Sequence, residues 1–339
     1  MLQSSAQKHT ASAAKAAIGA DDIFSVIKSE LAQVRCLIEK DLSDCQEPVR
    51  GLTAGVNAAK GKMIRPALIL LSGLACGKIT QEHINAAAIF EMIHNVSLLH
   101  DDVIDEAKFR RGVPTVNSLH GNESAVLLGD FLLGKVMGMC TRQEKKIVEI
   151  IAGATMKTCE GELKQISQRG NWLINETEYL DIISGKTAAL FEAACQTGAV
   201  LAGSDAKIAQ AFSAYGRNLG IAFQITDDLL DLVGEQSKTG KTEGNDLDRN
   251  KLTLPLIHLL KKVEDTELQK IRKILRQNDG EPDKLWLIKK LTECSSIEYS
   301  IKTAQKFAQD AVASISNFVD NQGGKALIET AKFIVGRTS

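Results

Sequence analysis

Long stretches without a helix breaker constrain this chain more than any other feature. Ile84, Ala87, Ala88, Phe90, Glu91, Ile93, His94, Ser97, Leu98 and Asp101 fall in a run free of Pro and Gly, and Thr80 stands where an N-cap belongs. Asn175-Glu176-Thr177-Glu178 has the form of a capping box with Asn in the first place. Ser204 is read as the cap of a further helix running through Ala211 and Ile221 to Val233. With Pro at 5 residues, aromatics at 4% and apolar residues at 44%, Ala- and Leu-rich helices are favoured over a sandwich or barrel. Alternating segments are nearly absent and no solenoid repeat is evident. The expectation is an all-α protein.

Residues 1–20 carry Ala, Ser and Lys but no acid and no Arg, and are read as a disordered N-terminal arm rather than a transit peptide. Residues 21–339 are read as a single domain. The polar stretch 235–250 is the one conspicuous loop, of a size usually functional or mobile. Lys+Arg 41 against Asp+Glu 42 leaves a formal charge of -1, so no global field points to nucleic acid or an anionic membrane. An anion site must therefore be built locally. No apolar run approaches the ~18 residues of a membrane span. Seven cysteines without a CxxC pair read as reduced thiols of a cytoplasmic protein.

Two acid clusters break this apolar background. Asp101-Asp102-Val103-Ile104-Asp105 follows Leu98-Leu99-His100, and Asp227-Asp228-Leu229-Leu230-Asp231 follows Phe223-Gln224-Ile225-Thr226. On a helix Asp101 and Asp105 lie ~40° apart, one turn from each other, where like charges repel. A solvated helix face is the ordinary explanation for one such cluster. Two with the same DDxxD spacing, both in apolar flanks, point instead to carboxylates that share Mg²⁺ with substrate phosphates. Neither has the loop pattern of an EF-hand.

Chelated Mg²⁺ implies an anion, and basic residues stand close to the first cluster. Lys62 and Arg65 are spaced i, i+3 in Gly-Lys-Met-Ile-Arg-Pro, which looks like a helix start. Arg110-Arg111 follows Asp105 closely and offers guanidinium forks for phosphate oxygens. Gly185 would bend a helix and turn Lys186 and Thr187 into whatever it lines. Lys241, in the polar loop, could fold over bound phosphates. His94 lies two turns below Asp101 on nearly the same face; it reads either as a buried structural histidine or as a partner of the phosphates.

Taken in order and spacing, GKMIRP (61–66), EMIHNVSLLHDDVID (91–105), RRGVPTVN (110–117), GDFLL (129–133), GKTAALF (185–191) and FQITDDLLD (223–231), followed by the GK and GND of 240–246, resemble the trans-polyprenyl diphosphate synthase family, in particular its bacterial medium- and long-chain members. The resemblance spans nearly the whole chain after residue ~50 and implies a large bundle of roughly a dozen or more helices around a deep central cavity, as a homodimer. It implies that Asp101 and Asp105 hold two Mg²⁺ ions against an allylic diphosphate and Asp227 a third, with Asp102, Asp228 and Asp231 nearby. Lys62, Arg65, His94 and Arg111 would bind isopentenyl diphosphate. Arg110, Lys186 and Lys241 would bind the allylic diphosphate, and Thr187 and Gln224 would face the allylic carbons. The activity implied is head-to-tail 1′-4 condensation.

Product length is read from the face below Asp101. Val96 and Ser97 are not aromatic, whereas bulky aromatics there resemble the floor of family members that stop at fifteen carbons. A product of twenty carbons or more is expected. Phe90 or Phe131 would then form the floor, or else simply pack between helices. The alternatives are a class I terpene cyclase, which would replace the second DDxxD with a different metal motif, and a non-catalytic subunit of a heteromeric synthase, which would have lost acids or arginines from these motifs.

Overall fold

The computed structural model describes residues 19–58, 61–233, 251–277, 281–318 and 320–336. Lys241, the 235–250 loop and nearly all of the N-terminal arm lie outside the described residues. The described chain is helical apart from one minimal hairpin. In order the helices are α1 (Ala20–Ile23), α2 (Lys28–Ser43), α3 (Val49–Ala58), α4 (Ile64–Cys76), α5 (Gln81–Ile104), α6 (Val116–His120), α7 (Asn122–Cys140), α8 (Lys145–Ser167), α9 (Glu176–Ile183), α10 (Ala189–Leu201) and α11 (Ala206–Val233). After residue 250 come α12 (Leu254–Leu260), α13 (Asp265–Gln277), α14 (Glu281–Glu293), α15 (Ser296–Ser314) and α16 (Gln322–Gly336). None of the described helices is long and apolar enough to cross a membrane.

Local chemistry explains the main boundaries. Thr80 begins α5 in a capping box whose third residue is His83: its Nδ1 accepts from the Thr80 N–H at 3.1 Å, and its Nε2 meets the Gly198 carbonyl at 3.1 Å. One imidazole thus caps α5 and ties it to α10. Asn175 and Glu178 exchange backbone bonds of 3.1 and 2.9 Å at the start of α9, as the sequence pattern predicts. The start of α11 differs from expectation by one residue. Asp205, not Ser204, accepts from the third helical N–H, Ile208, at 2.8 Å; its carboxylate also suits the positive helix end better than a hydroxyl.

From Ala86 to Ile93 α5 is buried on all sides, as a central helix must be. It packs on α2, α4, α7 and α10, while α11 lies between α10 and α15. Two apolar cores result. The first gathers α2, α4, α5, α7, α8, α10 and α16; the second gathers α9, α12, α13 and α14, and α15 gives residues to both. α11 joins them, giving Phe212, Tyr215 and Leu219 to the first core and Ile225, Leu229 and Leu232 to the second. Its own C-terminal turns carry the second acid cluster.

Candidate active site

Both acid clusters sit at helix C-termini. Asp101 and Asp102 occupy the last turn of α5, Asp105 is its C-cap, and Asp227, Asp228 and Asp231 fall in the final turns of α11. Carboxylates there oppose the helix dipole, each by about 0.3–1 kcal/mol, so cations must compensate. The first cluster receives them from two sides. After α5 the chain turns into a hairpin of Phe109–Arg110 and Val113–Pro114, and both loop residues, Arg111 (φ 52) and Gly112 (φ 76), take the left-handed conformation of a type I′ turn. Arg110 Nε and a terminal guanidinium nitrogen meet one oxygen of the buried Asp102 at 2.8 and 2.6 Å. Asn117 Nδ2 donates to the Asp102 and Ala107 carbonyls, which pins the hairpin to the helix end. Arg169, just past α8, pairs with Asp105 at 2.9 Å.

Asp101 is held differently. Burial pushes its carboxyl up to about 6, and the neighbouring charges of Glu162 and Asp105 push the same way, against Lys186 and Arg110. Glu162 on α8 in turn pairs with Lys186 at 2.5 Å and accepts from Gln165 at 3.2 Å. Lys186 and Thr187 lie on a π-helical turn, Ser184–Ala188, between α9 and α10. Such turns are rare and frequently mark functional sites. The turn is seated by backbone contact with α8: a Cβ on Gly185 would stand 2.9 Å from the Lys157 carbonyl oxygen, and one on Gly161 would overlap the Lys186 nitrogen. Only glycine permits that approach.

From the π turn the site runs into the second cluster. Thr187 Oγ1 donates to Gln224 Oε1 at 2.6 Å, Gln224 Nε2 donates to Asp228 Oδ1 at 2.7 Å, and Tyr179 donates to Asp228 Oδ2 at 2.6 Å. Lys251 Nζ stands 3.6 Å from the same carboxylate. Arg111 feels the charge of Asp227 as well as those of Arg110 and Glu91, so the hairpin arginines act on both clusters.

The third group lies at the start of α4. The Arg111 guanidinium rests against Gly61, where a Cβ would stand 2.8 Å away. Arg65 is one turn on, its guanidinium carbon 5.1 Å from the Phe191 ring centroid and its buried Nε without a hydrogen-bond partner among the described residues. Burial lowers its pKa to about 10, opposed by the Glu91 carboxylate. Lys62 is exposed, its ammonium 5.4 Å from the Phe333 ring centroid. His94 is held well below the usual histidine range by burial and by Arg65, Arg111 and Arg110, so its ring is neutral and able to accept. Phe90, three turns below Asp101, is fully buried in the first core, and Phe131 packs against that core beneath the Lys135 ammonium.

Residues 48–292 match the Polyprenyl synthetase family. The chain belongs to that family. It is 34% identical to the octaprenyl diphosphate synthase of Escherichia coli (strain K12) over 318 residues, 94% of this chain and 98% of the relative. Among solved structures, a polyprenyl synthase from Caulobacter crescentus CB15, complexed with calcium and isoprenyl diphosphate, aligns with a TM-score of 0.90 at 31% identity, covering 96% of this chain and all of that one. A decaprenyl diphosphate synthase from Rhodobacter capsulatus aligns with a TM-score of 0.87 at 33% identity, covering 95% of this chain and 100% of that one. This polyprenyl synthetase is therefore an enzyme, a prenyltransferase that elongates trans-polyprenyl diphosphates, and its all-α fold is that of the family.

The donor set of this synthetase suits the divalent metal its family uses. Asp101 and Asp105 share a helix face, and the acid surplus around Asp101 is of the kind a divalent cation relieves. Among the described residues no three ligand-type side chains converge on one point. Sequence reasoning did not single out Glu162, Arg169, Tyr179 or Lys251. Gly161, lodged in the middle of a long helix, was the available sign that something approaches α8 closely at that level.

Proposed function

We propose that this polyprenyl synthetase condenses isopentenyl diphosphate repeatedly onto an allylic diphosphate and releases a product of twenty carbons or longer. The observation that carries the reading is the convergence on one site of Asp101, Asp105 and Asp227 with Arg110, Arg111, Lys186 and Arg65. Acids and bases there are matched to metal-bound diphosphate, and the reaction requires no side chain as a nucleophile. Three Mg²⁺ ions, two at Asp101 and Asp105 and one at Asp227, would neutralise the departing diphosphate. Arg110, Lys186 and Lys241 orient the allylic diphosphate as its C–O bond breaks and the electron pair leaves with the diphosphate. Lys62, Arg65, His94 and Arg111 hold isopentenyl diphosphate so that its terminal double-bond carbon attacks the allylic cation. The proton is then lost to the released diphosphate. Asp102, one of whose oxygens meets Arg110, and Asp228, whose oxygens meet Tyr179 and Gln224, hold these cations and amides in place, with Asp231 one turn on from Asp227.

The relatives' names support a long product: octaprenyl and decaprenyl diphosphate synthases are among them. Incubation with Mg²⁺, isopentenyl diphosphate and dimethylallyl, geranyl or farnesyl diphosphate, followed by mass spectrometry, should show a ladder ending at or beyond twenty carbons. A ladder that stops at fifteen would refute the length, and hydrocarbon release without incorporation would refute the reaction. We further propose a homodimer, supported by the exposed apolar residues Val126, Leu127 and Met137 along α7. Light scattering should return twice the chain mass of 36.7 kDa.

A further inference from the structure

Tyr179 has no part in the reading above except as a neighbour of Asp228, yet its surroundings are built with care. It lies on the first turns of α9, which the Asn175–Glu178 capping box fixes and which Tyr299 pins by donating to both Glu176 oxygens at 2.8 Å. Its ring is 2% exposed, and its hydroxyl reaches an α11 carboxylate that is equally buried.

The consequence follows from donor and acceptor counting. An ionised carboxylate only accepts, so both Asp228 oxygens require donors. Tyr179 supplies one; at the other, which Lys251 Nζ also approaches at 3.6 Å, Gln224 stands 2.7 Å away and so must present its NH₂ rather than its carbonyl. With the amide set in that sense, its carbonyl faces Thr187 and must receive the Thr187 proton. The Thr187 oxygen is then left with lone pairs and no proton to offer the site. An oxygen in that state stabilises a developing positive charge, whereas a threonine free to rotate would present either end.

We infer that Tyr179 is a positioning residue for the allylic cation, acting through Asp228 and Gln224 to turn the Thr187 lone pairs towards it. This rests on the proposed placement of Thr187 and Gln224 beside the allylic carbons. Tyr179→Phe preserves the ring and deletes the donor that holds one Asp228 oxygen, so the carboxylate can rotate away from Gln224 and release its amide.

The test is a binding measurement with two probes, each with Mg²⁺. One is inorganic diphosphate. The other is 3-azageranyl diphosphate, whose protonated nitrogen stands at the tertiary carbon of the allylic cation. Isothermal titration of Tyr179→Phe should show about tenfold weaker binding of the ammonium probe, the size typical of lost outer-shell support, and unchanged binding of inorganic diphosphate. Thr187→Val should show the same loss, and the double variant should lose no more than either single one. In turnover, kcat should fall while KM for isopentenyl diphosphate stays within twofold. Equal weakening of both probes would reduce Tyr179 to a structural residue and overturn the inference, as would no change in either. A Thr187→Val effect without a Tyr179→Phe effect removes this inference alone; no effect from Thr187→Val removes the placement beneath it. Should Tyr179→Phe fail to fold, Asp228→Asn, which inserts a competing N–H into the same chain of bonds, should produce the same selective loss, and its absence counts equally against the inference.

Discussion

At the scale of single residues, the site is a set of charges held where neither solvent nor the helix dipole favours them. Asp101 shows this most directly. Its native-state carboxyl titrates near 6, above the ordinary aspartate value of about 3.9, chiefly because it is buried and secondly because Glu162 and Asp105 are close. The native state therefore holds a proton that the unfolded chain has already released. Stability from this group is full below about pH 4 and is lost as pH rises to about 6. Asp101→Asn resembles the protonated form, so with chelator present its Tm should match that of the parent near pH 4 and exceed it by pH 7. Parallel Tm curves across that range would refute the account of Asp101. Adding Mg²⁺ and inorganic diphosphate at pH 7 should raise the parent's Tm and largely spare the variant's. Turnover by the variant should fall by more than ~10²-fold, beyond what losing an outer-shell partner costs.

At the scale of elements, the positioning depends on close approach more than on helix formation. Helix existence was plain from the sequence, because unbroken apolar periods such as that from Ile84 to Asp101 have one outcome and caps such as Asn175 are local. The hairpin that carries Arg110 and Arg111 was not legible: two-residue strands leave no periodicity, and Arg-Gly is an unusual pair for a type I′ turn. Nor did the sequence disclose that Gly185 marks a π turn, since that depends on Gly161 from a helix more than twenty positions earlier. The pair gives a contrast within α8. Gly161→Ala places a methyl group into the backbone at Lys186, and should cost upwards of about 1–3 kcal/mol while separating Lys186 from Glu162 and lowering activity. Gly153→Ala, on the same helix with nothing within 4 Å of the added carbon, should stabilise by roughly 0.5–1 kcal/mol. Thermal melts of the two variants decide it; equal effects would mean the seat of the π turn is unimportant.

At the scale of the whole molecule, α11 spans two cores and α5 runs through the first, so the two acid clusters are brought together by tertiary packing that no local pattern encodes. The pairing was legible only as repeated DDxxD chemistry in search of a shared ligand. The same long α5 sets the scale of the product. Ser97 lies one turn below Asp101 and Phe90 about 16 Å down the axis at ~1.5 Å per residue. Ser97 is partly exposed, with its hydroxyl bonded back to the His94 carbonyl at 2.8 Å, whereas Val96 is 8% exposed and packed in the first core. The two neighbours should therefore respond differently to phenylalanine. Ser97→Phe places a ring at a partly exposed position of α5 and should shorten the product towards fifteen carbons with little change in Tm. Val96→Phe must push into packed side chains, costing about 1–3 kcal/mol, and adds to the shortening chiefly in combination with Ser97→Phe. Reversed-phase separation of the products of each variant, read beside its melt, checks both halves. An unchanged product length in the double variant would mean that the growing chain does not run down this face of α5.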